Sequence, residues 1–346
     1  MRGRLAFVVM SIGSCLSACV GGTDAAPALQ VSEYPSGPVE DSQGALWFPT
    51  AFDGAMRYDG RNFVAFTTAQ GLPSDTIRDI LVDADGALWF ATGGGLCRYD
   101  GASFSSLLDY ADGVAAGGLG AHGGHLDLWD VHRDRRGDLW IASLGGVFRL
   151  EGARFRRFPL TAQATAHRAE FTPDMVYCVF EDRDGALWFG TDGVGAVRWD
   201  GETQRAFTTA DGLCSNHVCR IVQGPRGDFW FGTSDGGVSH YDGERFSTHL
   251  RNDTFSEHNG WGRFLGILVD RTGAIWFGRA SPGGGVYRYD GQRFDYLSTG
   301  HGLGEGGVIG LGEDRRGRIW VGSTSGVFCF DGTRFVNVTR EPPTRI

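Results

Sequence analysis

The chain has 346 residues, 41% of them hydrophobic and 12% aromatic, with 56 glycines and a formal charge of -9 at pH 7. Arginine supplies every basic side chain, since no lysine is present, and the acidic balance argues against a nucleic-acid partner, which needs a basic face. No internal stretch reaches the roughly 20 apolar residues of a membrane-spanning helix, whereas abundant glycine and aromatics suit many short strands joined by tight turns.

Arg2 and Arg4 precede the apolar run from Leu5 to Ile12, the pattern of an export signal. Leu16-Ser17-Ala18-Cys19 resembles the lipobox of bacterial lipoproteins. That likeness implies a signal over 1–18 and lipidation of Cys19. It also implies, through Val20 in place of Asp, an outer-membrane address; an ordinary secretory signal cut after Ala18 is the alternative. Residues 19–30 are small and polar and read as a tether, with the folded domain expected over 31–346. Five cysteines fall in that domain: Cys97, Cys178, Cys214, Cys219 and Cys329. Cys214 and Cys219 are candidates for a bridge in an oxidising compartment, and the other three read as buried thiols.

From Trp47 onward the chain repeats. Trp47, Trp89, Trp140, Trp188, Trp230, Trp276 and Trp320 are separated by 42, 51, 48, 42, 46 and 44 residues, a period that belongs to propeller blades. Each unit opens with an apolar strand, such as the one starting at Ile77, Val176 or Phe264. A turn follows, closed by Gly44, Gly86, Gly137, Gly185, Gly227, Gly273 or Gly317. Asp stands three residues before that Gly in six units, with Gly224 the exception, and Asp favours opening such a turn. The Trp strand is apolar on both faces, as a sheet packed between two others requires. After it comes a small residue (Ala91, Ala142, Gly190, Gly232, Gly278, Gly322), which predicts close approach of a neighbouring sheet. A third strand ends in Tyr-Asp-Gly or a variant, a strong hairpin signal, and an outer strand begins at Phe63, Phe104, Phe155, Phe246, Phe294 and Phe335. The fourth unit has Gln204 there, and Phe207 is expected to stand in. The fold read from this pattern is all-β, a seven-bladed propeller with four antiparallel strands per blade. Val31 to Tyr34 is a candidate extra outer strand beside Phe335 to Val338.

The unit Gly71-Leu72-Pro73-Ser74-Asp75-Thr76-Ile77, followed by Asp83 to Thr92 and by Gly95-Leu96-Cys97-Arg98-Tyr99-Asp100-Gly101, resembles the two-component-regulator propeller repeat. The resemblance covers about residues 36–338. It implies a recognition role outside the cytoplasm like that of sensor propellers, without phosphotransfer, and it implies that the first strand of each blade lines the central channel.

Propeller geometry puts the loops leading into each first strand on one face, here the loop face, and the turn glycines on the opposite turn face. The loop face carries the long, varied segments, where binding residues usually sit on a rigid scaffold. Candidate ligand-binding residues are Arg78, Asp79, Trp129, Asp130, His132, Tyr177 and Arg220 on or beside the first strands, with His217, Trp261 and His301 in the loops. Mixed charges and aromatics of this kind suit a polar small ligand such as a sugar or peptide, or an envelope protein. No cofactor is expected on this reading. His122 and His125 in one loop, with His132 on the next strand, are also candidate ligands for a divalent metal. That arrangement opens the alternative of a metal-dependent lyase or hydrolase at the channel mouth. A structural interaction scaffold is the third reading.

Overall fold

The computed structural model describes residues 37–107, 127–161, 174–251, 263–281 and 283–339. Within them the chain forms seven sheets of four antiparallel strands, each sheet built from four consecutive strands. The first blade comprises Val39–Glu40, Leu46–Pro49, Ala55–Tyr58 and Phe63–Phe66. The innermost strands of the other six are Ile77–Val82, Leu128–Arg133, Val176–Glu181, Val218–Gln223, Phe264–Val269 and Val308–Glu313. These innermost strands line a central cavity, as expected.

The seven repeated tryptophans are buried and form the interblade core. Each indole N–H donates to an aspartate carboxylate: Trp47 to Asp41, Trp89 to Asp83, Trp140 to Asp134, Trp188 to Asp182, Trp276 to Asp270 and Trp320 to Asp314, at 2.7–2.9 Å. The second carboxylate oxygen caps the turn, as Asp41 does for the N–H groups of Gln43 and Ala45. One side chain thus closes the turn and satisfies the only polar atom of a buried indole. In the fifth blade Gly224 replaces this Asp, and Asp228 takes the indole N–H of Trp230 at 3.0 Å instead.

The expected close approach is present. A Cβ on Gly190 would lie 2.5 Å from the Val218 carbonyl, and one on Gly232 would lie 2.3 Å from that of Phe264. The fourth blade differs from expectation. Phe207 is buried against Trp188, in the register place that Phe66 holds in blade one, and does not replace the missing first aromatic. Gln204 keeps that place and joins two blades, donating to the Pro159 carbonyl and accepting from the Thr161 N–H.

Among the described residues the ring closes without a borrowed strand. Blade seven has four strands of its own, ending in Phe335–Asn337. Its seam with blade one buries Trp320, Val327 and Val338 against Leu46, Phe48 and Met56. A recurring interblade bond also spans the seam. Arg135, Arg183 and Arg271 give their backbone N–H to Glu181, Gln223 and Glu313 of the next blade, and Arg315 gives its own to Glu40. Val31 to Tyr34 lies outside the described residues.

Candidate functional site

Equivalent positions of the innermost strands build two layers. The upper layer, next to the loop face, is the second residue of each strand: Arg78, Trp129, Tyr177, Cys219, Leu265 and Ile309. Arg78 makes a two-pronged ion pair with Asp127, at 3.2 and 2.8 Å, and its guanidinium lies 4.3 Å from the Trp129 ring centroid. Trp129 meets Tyr177 edge to face at 5.5 Å. Tyr177 donates to Asp192 at 3.4 Å, and His217 Nδ1 lies 2.7 Å from the same carboxylate oxygen. Asp192 is fully buried, so His217 is oriented by a desolvated acid. Met175, Tyr177 and Cys219 are buried together, with Trp129, Leu144 and Leu265 packed against them.

Beneath lies the lower layer, the third residue of each strand: Asp79, Asp130, Cys178, Arg220, Gly266 and Gly310, with Gly37 at the same register in blade one. Polar groups come only from blades two to five. On the glycine side the backbones press together, and a Cβ on Gly37 would sit 1.6 Å from the Leu311 carbonyl. Asp79 accepts the Val131 N–H and Asp130 the Val179 N–H, so each acid ties its blade to the next. Arg220 reaches past blade four to Asp130 at 3.2 Å. Desolvation works against the Arg220 charge, but Asp130 and Asp79 outweigh it and hold the guanidinium pKa above its ordinary value. Burial pushes the Cys178 thiol up to about 12, which makes it inert. Below Asp130 on the same strand, His132 is kept neutral because burial lowers its pKa. Its Nε2 is buried without a hydrogen-bond partner.

These lower groups line a cavity of about 660 Å³ that runs down to Glu40, Glu313 and Arg315 on the turn face. The sequence-predicted residues therefore divide. Asp79, Asp130, His132 and Arg220 come together on the cavity wall, while Arg78, Trp129, Tyr177 and His217 form the layer above it. Trp129 and Tyr177 stand on the innermost strands, as expected, with their rings packed against neighbouring blades. His301 stands, as expected, in the segment that leads into the first strand of blade seven. It ends a short helical turn behind the outer strand of blade six, accepts the Ser298 N–H, and lines a separate groove with Trp276 and Arg318. No disulfide joins Cys214 and Cys219: the first lies against Thr233 and the second beside Tyr177. Trp261, His122, His125 and Cys19 lie outside the described residues. Among the described residues no three His, Cys, Asp or Glu side chains converge as a metal site, and no helix is long and apolar enough to cross a membrane. Asp127 and Asp192 escaped the sequence reading, and the only signal was an acid close in sequence to a blade strand.

The described residues define a seven-bladed propeller. The family profile described as "Two component regulator propeller" matches residues 71–94 and 170–193. No curated protein matches the chain. The extracellular domain of a hybrid two-component system from B. thetaiotaomicron is 22% identical with a TM-score of 0.68, over 90% of this chain and 40% of that one. The chain thus spans about two fifths of that domain's length. Virginiamycin B lyase from Staphylococcus aureus, in a catalytically inactive form with quinupristin, is 13% identical with a TM-score of 0.61, over 86% and 94% of the two chains. PorZ, a surface component of the type-IX secretion system of Porphyromonas gingivalis, is 18% identical with a TM-score of 0.56, over 86% and 47%. These likenesses are to the fold.

Proposed function

We propose that the chain is an exported, lipid-anchored recognition module that binds a polar ligand, a sugar or peptide, on its loop face. The observation that carries this reading is the continuous run Arg78–Trp129–Tyr177–Asp192–His217. It crosses four blades at the loop-face ends of their innermost strands. Holding Arg78 against Asp127 and His217 against buried Asp192 costs desolvation that strand packing alone does not require. Such fixed charges beside an aromatic face are the usual means of orienting a hydrogen-bonding ligand. Export is supported by the likeness to extracellular and surface domains and by the Cys19 lipobox. The test is a thermal-shift screen of the full chain against oligosaccharides and short peptides. At a hundredfold excess over Kd a binder adds about 2.7 kcal/mol to stability. We expect at least one such compound to raise the midpoint, and Arg78→Ala or Trp129→Ala to abolish the rise. A panel that leaves the midpoint unmoved overturns the small-ligand reading, and retention of an envelope protein on the immobilised chain would then put a protein partner in its place.

A further inference from the structure

The cavity beneath the Trp129–Tyr177 layer is a compartment of its own, independent of the loop face. Its two walls differ in chemistry. Blades two to five present Asp79, Asp130, His132 and Arg220, while the opposite side presents Pro38, Val39, Ile267, Leu268 and Leu311. The lining carries four acids, Asp79, Asp130, Glu40 and Glu313, against the guanidiniums of Arg220 and Arg315, and Arg271 from outside the lining pairs with Glu313 at 2.6 Å, which leaves one acid in excess. The Asp130–Arg220 pair is poorly matched. Asp130 is almost fully enclosed, at 6% side-chain exposure, whereas Arg220 keeps 36% and touches it through one nitrogen. The neutral His132 ring adds Nε2, a buried nitrogen left without a partner on that wall. Its volume lies within the range of ligand pockets, roughly 300–1,000 Å³. The apolar layer above and the open rim at Glu313 and Arg315 set the route in from the turn face.

We infer that this cavity binds a small organic cation, an amine on a compact apolar body, with the ammonium at the Asp130 wall and the body against Val39, Leu268 and Leu311. An anion would meet the acidic excess without desolvated compensation, and a neutral ligand would leave that excess unused. Three probes that share a 2-phenylethyl body decide the matter by calorimetric titration of the full chain: 2-phenylethylamine, 2-phenylethanol and 3-phenylpropanoate. The amine is expected to bind at least tenfold more tightly than the other two and to weaken as salt rises. Asp130→Asn should weaken it about tenfold. Should that variant lose its fold by circular dichroism, Glu313→Gln at the rim, expected to weaken the amine about threefold, takes its place. Equal affinity for all three probes, preference for the carboxylate, or no binding of the amine would each overturn the inference.

Discussion

At the residue scale, the repeated tryptophan is half of a clasp. Its indole N–H meets an aspartate, and in blades one to four and in blade six a guanidinium from the third strand lies 5.6–5.9 Å from the ring centroid. Blade seven has Cys329 at that place, and Arg318, in the turn two residues before Trp320, lies over its ring. Blade five exchanges two parts at once. His240 stacks on Trp230 at 4.3 Å and bonds Asp228, the acid that moved from position 224. Gly224 is then obligatory, because a Cβ there would lie 2.5 Å from Asp228 Oδ1. Gly224→Asp should destabilise the protein by about 1–3 kcal/mol through overpacking, with like-charge repulsion added. Gly224→Asp combined with Asp228→Ala restores the arrangement of the other blades and should recover most of the loss. Urea midpoints of the two variants check this, and a double variant no better than the single would refute the exchange.

At the element scale, blades pack through the small residue after each Trp strand. Gly232→Ala drives a Cβ against the Phe264 carbonyl and within 2.9 Å of Ile267. Backbone cannot step aside as a side-chain tip can, so a cost of about 1–3 kcal/mol is expected. Gly300→Ala is the control, since nothing lies within 4 Å of its Cβ, and it should change the midpoint by a few tenths of a kcal/mol or stabilise slightly. Matching effects in a denaturant titration would show that the close approach carries no strain. The small residues, turn glycines and strand order were legible because local spacing dictates them. Phe207 was misread because only pairing register, not sequence distance, tells the first outer-strand aromatic from the last. The Trp–Asp bond was half legible: the sequence pattern assigned Asp41 and its equivalents to the turn, but their second oxygen reaches a ring six residues on, across the hairpin.

For the whole molecule, the seven repeats are equal in packing and unequal in charge, and the inequality was hard to foresee. Asp79, Asp130 and Arg220 were legible as channel groups from their shared offset, but the layer that separates them from Trp129 and Tyr177 follows from a bulge in the innermost strands. The same clasps that hold the ring also set its response to acid. Burial raises the pKa of Asp41, Asp83, Asp270 and Asp314, yet the bonds from Trp and backbone N–H groups outweigh it and leave all four below the ordinary carboxylate value. Groups depressed in the folded state add stability above the unfolded value, about 3.9 for Asp, and lose it as pH falls through the folded one. Burial likewise lowers the pKa of His132 and His249, so their contribution is full above about 6.5 and fades as pH drops below it. Stability should therefore decline in two stages, gently below about pH 6.5 and steeply below about pH 4. Urea unfolding at half-unit steps from pH 7.5 to 3 measures both. Replacing His132 and His249 together by Gln should flatten the first stage and leave the second; if the first stage persists in that variant, these two imidazoles are not its source.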